Sequence, residues 1–506
     1  MDLKKIWRPT VAVLCGAFLS TSASAGVMME GFYWNVPNGW YHTMTAKAQE
    51  LRNMADGYGI DRLWFPPPSK AQSGPNSMGY DPHDYFDLGA YDQDGTVATR
   101  FGTQQDLKEA IAVYRSAGIA CMADIVLNHR SGGLLESNPN SSMAVRTDLS
   151  SIASRSHGYG GKTGATPKAA GTTWTDFSNT ASGRAQWHYN EFHPSTFEAA
   201  DEGSFGDMPD ICYVTGNSPG HAYYDIIQWG QWLQDPKNAG FNGGWRFDYT
   251  KGYRPWMARD FWAATGQPFS VAEYWDTNVG LIDSWISASG GGISVFDFPL
   301  YYTLQGVCND AAGSAWLPDL LNPDKSYAAR NPLRAVTFAA NHDTDGIAND
   351  KMMAYAFILT YQGYPDLFWK DYFDFGLAHG GGADSPGAGN GIAPLVWCRE
   401  KLAAGSPNIQ VLKRDDGQLI AYASGGYGAS QPGYVVVINS NPTDWKGARV
   451  QIGNNYLKNK TLKAYAWSST VKGQNYQPAN AASDANGSAT LSAPPRGYAV
   501  YSVSGL

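Results

Sequence analysis

Apolar positions in this chain gather in short dense runs. Residues 27–32, 60–65, 119–126, 244–248, 269–273, 293–298, 335–340 and 365–369 are rich in β-branched, aromatic and other apolar side chains, and Gly, Pro or polar clusters bound them. Runs of that length and texture predict strands buried on both faces. Between them the period lengthens. Residues 45–56, 223–233 and 352–361 read as helices, and a helix near 395–404 closes the set. One helix carries its own start and stop signals. Thr103 is an N-cap with Asp106 three residues on, Leu107, Ile111 and Tyr114 share a face, and Gly118 ends it. Strands alternating with helices imply parallel pairing, and eight such strands predict a (β/α)8 barrel, a TIM barrel.

The rhythm breaks in three places. Residues 130–222 are rich in Ser, Gly, Thr and Asn with few periodic apolar positions. That is too long for a plain loop, so an irregular inserted domain after the third strand is expected. Residues 380–391 form a glycine-rich loop. After 405 the text turns to short alternating runs at 418–424, 433–440, 461–467 and 498–503, separated by turn residues. These predict a C-terminal antiparallel β domain. The expected organisation is a leader over 1–25, barrel over 26–129 and 223–405, the insertion over 130–222, and the β domain over 406–506.

The leader changes the expected address. Lys4, Lys5 and Arg8 precede an apolar core over 11–19, and Ala23-Ser24-Ala25 supplies small residues for cleavage. This reads as a signal peptide of a secreted protein. Cys15 follows the bulky Leu14, so no lipid attachment is read there. The leader holds three basic residues and one acid, so its removal deepens the net charge of −8. An acidic exported chain argues against nucleic acid. No other stretch is long and apolar enough to span a bilayer, so no membrane partner is expected, and the protein is expected to be a monomer. Aromatic content of 13% suits sugar faces and an ordinary core about equally. Cys121, Cys212, Cys308 and Cys398 show no C-x-x-C spacing, and whether any are bridged stays open.

Candidate chemistry sits at strand ends. Arg246 and Asp248 lie two apart in a β run, so their side chains leave one face. Asp248 ends that run, Glu273 ends the next, and Asp343 follows the run at 335–340. Three acids at three strand ends suit the mouth of a barrel enzyme. Paired carboxylates are also what cleaves glycosidic bonds.

Five blocks in order, at 124–129, 208–211, 244–253, 272–275 and 341–344, resemble the α-amylase family of glycoside hydrolases. Further likeness at 272–276, 296–301 and 354–363 points to archaeal members first and plant members next. The resemblance spans essentially the whole mature chain. It implies a secreted α-amylase that cleaves internal α-1,4-glucosidic bonds of starch, glycogen and maltodextrins, retaining configuration. By the resemblance Asp248 is the nucleophile, kept ionised by Arg246, and Glu273 is the acid and then base, its pKa raised by burial and neighbouring acids. Asp343 would grip the distorted sugar, with His342 and His129 donating hydrogen bonds to it. Tyr80 would stack beneath the sugar, and Lys251 would reach the leaving group. The family also implies Ca²⁺, held by Asn128, Asp201 and Asp210 and the carbonyls of Gly203 and Gly252. Some archaeal relatives carry Zn²⁺ beside it. His193 and Cys212 match those ligands, while Glu198 stands where a second His is expected. An exo-acting maltooligosaccharide-forming amylase, or a transglycosylase of the same family, fits the same blocks.

Overall fold

A computed structural model describes residues 26–140, 171–197, 205, 208–379, 389–405 and 408–506. The leader, Glu198, Asp201, Gly203 and most of the glycine-rich loop lie outside these.

Eight strands close into a parallel barrel: β1 Met28–Glu30, β2 Arg62–Phe65, β3 Ala120–Ile125, β4 Gly244–Phe247, β5 Ser270–Ala272, β6 Ser294–Phe296, β7 Ala335–Phe338 and β8 Tyr364–Phe368. Each pairs with its sequence neighbours, and β8 returns to β1 with Met28 opposite Asp366. All eight expected strands are present.

Alternation along a strand sends side chains to opposite faces. In β4, Trp245 and Phe247 turn outward. The Trp245 Nε1 donates to Thr265 Oγ1 (2.8 Å), and Phe247 packs on Phe261, both in the helix Pro255–Thr265. Arg246 turns inward, and its guanidinium lies 4.9 Å from the Trp64 ring. Trp64, Phe296 and Phe338 fill the interior edge to face and tilted, so the charged rim rests on an aromatic plug.

The helix Gln104–Ser116 starts with the expected capping box. Thr103 Oγ1 accepts from the Asp106 amide, and Asp106 Oδ2 accepts from the Thr103 amide (2.8 Å). The first helix, Trp40–Arg52, begins five residues before its expected start, because Trp40, Tyr41 and Met44 already bury against the barrel. The last ends in a wide π turn, Cys398–Leu402, where buried Arg399 donates to the carbonyls of Gly26 and Gly363 (3.2 and 2.9 Å).

Between β3 and β4 the described residues include one hairpin, Leu134–Ser137 with Thr172–Asp176. Arg130 anchors this region: its guanidinium sits 3.8 Å from the Phe177 ring and 4.5 Å from Trp187, and it donates to Ala185 O (2.8 Å). The C-terminal part holds a six-stranded antiparallel sheet and a two-stranded one. Tyr422, Val436 and Tyr498 of the larger sheet join the barrel's hydrophobic core. Cys121, Cys212, Cys308 and Cys398 are all buried and free.

Candidate active site

The C-terminal ends of the strands converge on Arg246. Its Nη1 donates to Asp248 Oδ1 (2.7 Å) and to Asp124 Oδ1 on β3 (3.0 Å), while Nη2 lies 3.0 Å from Glu273 Oε1. One buried guanidinium therefore spans the carboxylates that end β4 and β5, the bidentate role that suits Arg and not Lys.

The turn after β4 fixes the second acid. Tyr249 adopts φ 42°, a left-handed conformation that costs a residue with a Cβ about 1–3 kcal/mol. That turn aims its amide at Glu273 Oε2 (2.8 Å), and Thr250 Oγ1 donates to the Glu273 carbonyl (2.8 Å). Burial raises Glu273 to about 7 against the pull of Arg246, with Asp248 and Asp343 adding to the rise. This is the direction expected from the sequence. Asp248 departs from expectation: burial outweighs the Arg246 attraction and lifts it to about 6.

Asp343 closes the other side of the rim. Its Oδ1 accepts from Trp34 Nε1 (3.0 Å), and its Oδ2 lies 3.3 Å from His342 Nε2. Burial works to raise its pKa, but His342 outweighs that and holds the carboxyl well below the usual range. Tyr80 stacks on the His342 ring at 5.4 Å and 13° and donates its hydroxyl proton to Asp124 Oδ2 (2.8 Å). Asp248, Glu273, Asp343, Arg246, His342 and Tyr80 are thus one connected cluster.

Two expected contacts take a different form. His129 has both ring nitrogens engaged within the protein, with Tyr80 O (2.8 Å) and Asn128 Nδ2 (3.2 Å). Burial pushes its pKa down to about 4, which favours the neutral ring, and that ring props the Tyr80 loop. Lys251 Nζ donates to Asp276 Oδ2 (2.6 Å) beside the Tyr274 ring, tethered at the rim. Four cluster members escaped the sequence reading as site residues: Glu30, Trp34, Trp64 and Asp124.

The expected cation donors are partly described. A bridge pairs His129 with Asp210, and the Ile211 amide donates to Asn128 O (3.0 Å), which brings Asn128 and Asp210 side by side. Gly252 closes against them: a Cβ there would collide with Asn128 Oδ1. This gathers carboxamide, carboxylate and backbone oxygens, hard donors that fit Ca²⁺. His193 Nδ1 lies 3.2 Å from Asp210 Oδ2, and Cys212 lies beside Ser195. Among the described residues no three His, Cys, Asp or Glu side chains form a metal cluster, and zinc has no support.

A closed parallel barrel carrying paired acids on one guanidinium at its C-terminal rim defines a (β/α)8 enzyme of the glycoside hydrolase class. No family model matches the chain. It is 28% identical to an alpha-amylase of Bacillus licheniformis over 75% of this chain and 77% of that one. With the cytoplasmic alpha-amylase of Escherichia coli (strain K12) it shares 27% over 87% and 92%. The fold matches a crystal structure of alpha-amylase from Geobacillus thermoleovorans complexed with acarbose, at a TM-score of 0.60, 16% identity and coverage of 95% and 98%. These likenesses are to alpha-amylases, and they support a glycoside hydrolase of that kind. The relatives are bacterial and plant enzymes, not the archaeal ones the motifs suggested.

Proposed function

We propose that the chain is an α-amylase that hydrolyses internal α-1,4-glucosidic bonds of starch, glycogen and maltodextrins with retention of configuration. The observation that carries this reading is Arg246 bridging Asp248 and Glu273. Asp248 attacks the anomeric carbon, and Glu273 gives its proton to the departing glycosidic oxygen. Ionised Asp248 then leaves as Glu273, now a base, takes a proton from water that attacks the same carbon. Asp343, held ionised by His342, faces the positive charge that develops on the sugar ring and favours that state over the ground state. Tyr80 offers an aromatic wall, and His129 braces it from behind.

Replacing Asp248 with Asn or Glu273 with Gln lowers kcat on soluble starch by at least about a hundredfold. Products observed by NMR as they form carry the α anomer first. Undiminished hydrolysis by either variant, or a β anomer, sinks the assignment. A fast fall in viscosity with mixed product sizes marks internal cleavage; a single short product marks the exo-acting alternative, and products longer than the starting maltotriose mark transglycosylation.

Calcium is part of this reading. Asn128, Asp210 and the Gly252 carbonyl, with Asp201 and Gly203, would hold it, and it would tie the insertion to the segment that follows Asp248. His193 and Cys212 supply two of zinc's usual four ligands, and no zinc role is proposed. The leader-like residues 1–25 support export; N-terminal sequencing of protein recovered from culture medium tests it, with Gly26 expected first.

A further inference from the structure

Glu30 ends β1 inside the barrel and is wholly buried. Two donors of His342 converge on it. His342 Nδ1 lies 2.5 Å from Glu30 Oε1, and the His342 amide donates to Oε2 (3.2 Å). The far side of the ring is also determined. Tyr80 has a single hydroxyl proton and gives it to Asp124, so at His342 Nε2 (3.0 Å) the hydroxyl accepts. Nε2 also faces Asp343 Oδ2. Every partner of both ring nitrogens is then an acceptor, and the ring that satisfies them is the doubly protonated imidazolium.

We propose that Glu30 is a positioning residue for glycosidic cleavage: it holds His342 as a fixed two-sided donor, which in turn keeps Asp343 ionised where positive charge develops on the sugar. The inference rests on the glucan-hydrolase reading above. A carboxylate is required at position 30 because two N–H groups address its two oxygens. A carboxamide offers one oxygen and one NH₂, so one donor of His342 would meet another donor.

The titratable groups around His342 are Glu30 on β1, Asp343 on its own loop, Asp124 on β3, Asp366 on β8, whose pKa burial raises well above the usual range, and the Tyr80 hydroxyl. Burial disfavours its charge, yet the Asp343 and Glu30 carboxylates outweigh burial and hold it well above the ordinary imidazole range. Glu30→Gln removes one of these carboxylates, so the ring loses its second proton at lower pH.

The test uses the full mature chain with ¹⁵N-labelled histidine. His342 is identified among the nine histidines by loss of its signals in His342→Gln. In wild-type protein its two nitrogens should both remain protonated where an ordinary imidazole, with its pKa of about 6.5, has lost its second proton. In Glu30→Gln they should lose the second proton at lower pH than in the wild type. For that variant kcat on a maltooligosaccharide should fall about 10- to 100-fold with KM little changed, the loss of one charge-assisted hydrogen bond expressed in the transition state. The alkaline limb of its pH profile should move to lower pH. An ordinary titration of His342 in the wild type overturns the proposal, and so does a folded Glu30→Gln with wild-type kcat. If Glu30→Gln fails to fold, the wild-type spectrum alone decides. A wild-type chain with a protonated His342 but no activity on starch would sink the glucan-hydrolase reading and the positioning role built on it, leaving only the pairing.

Discussion

Arg246 sets the electrostatics of the rim one residue at a time. Under the proposed mechanism, productive enzyme has Asp248 ionised and Glu273 protonated. Asp248 is lifted to about 6 and Glu273 to about 7, so the window in which both conditions hold is narrow. Below it the nucleophile gains a proton; above it the acid has lost one. The expected profile of kcat/KM against pH is a bell with its summit between these values, and its two limbs belong to the coupled pair and not to either acid alone. Arg246→Lys keeps a charge but cannot span two carboxylates. Both acids then rise, because less cation opposes their burial, and both limbs move to higher pH in stopped assays across pH 4–9. Limbs that stay put would separate Arg246 from the titration. The three acids were legible because each stands at the end of a dense apolar run. Glu30 lacked that signal, because in the text it lies inside the run 27–32, and only the structure ends β1 at it. Trp34 had no such cue: it lies in a turn, and only the closing of the barrel brings it to Asp343.

Segments, more than single residues, decide where the acids point. The exit from β4 packs three tasks into residues 248–252: the proposed nucleophile, the left-handed Tyr249 amide that holds Glu273, and Gly252 against Asn128. Only glycine tolerates that last approach. Gly252→Ala is therefore expected to push the exit away from Asn128, lowering kcat and the Tm together. Under the calcium reading, the variant's Tm should also respond less to added Ca²⁺ than the wild type's. A variant with wild-type Tm, kcat and calcium response would show that the exit has slack. At this scale the text was legible where an element carried its own boundary signals. Thr103 and Asp106 fixed one helix start to the residue. The helices Pro255–Thr265 and Phe298–Asn309 were missed because aromatic and apolar residues surround most of their turns, so no single stripe stood out. The strand Ile409–Asp416 was missed for the opposite reason: it is charged, largely solvent-facing and interrupted by register shifts.

Across the whole molecule, barrel and C-terminal sheet are joined by buried polar contacts as well as by shared core. Arg496 leaves the sheet, donates to Cys308 O (2.8 Å) and pairs with Asp350 at the head of the helix Lys351–Thr360. Thr470 Oγ1 donates to the same carboxylate, and on the other side Tyr434 donates to Thr360 O (3.0 Å). Asp350 is nearly inaccessible, so removing its cation strands a buried charge, a loss of about 3–5 kcal/mol. Arg496→Met keeps the side-chain length and the Cβ at a left-handed backbone position, φ 47°, so backbone strain is unchanged. It should lower the Tm of the full chain clearly while leaving kcat at low temperature near wild type, because the Arg496 side chain engages Cys308, Asp310 and Asp350, none of them a rim acid. Adding Asp350→Asn removes the stranded charge, and the double variant should recover part of the lost Tm. Calorimetry of the two single variants and the double variant reads this directly. Strictly additive losses would mean that Arg496 and Asp350 do not act as a pair and that the sheet is held by its apolar face alone.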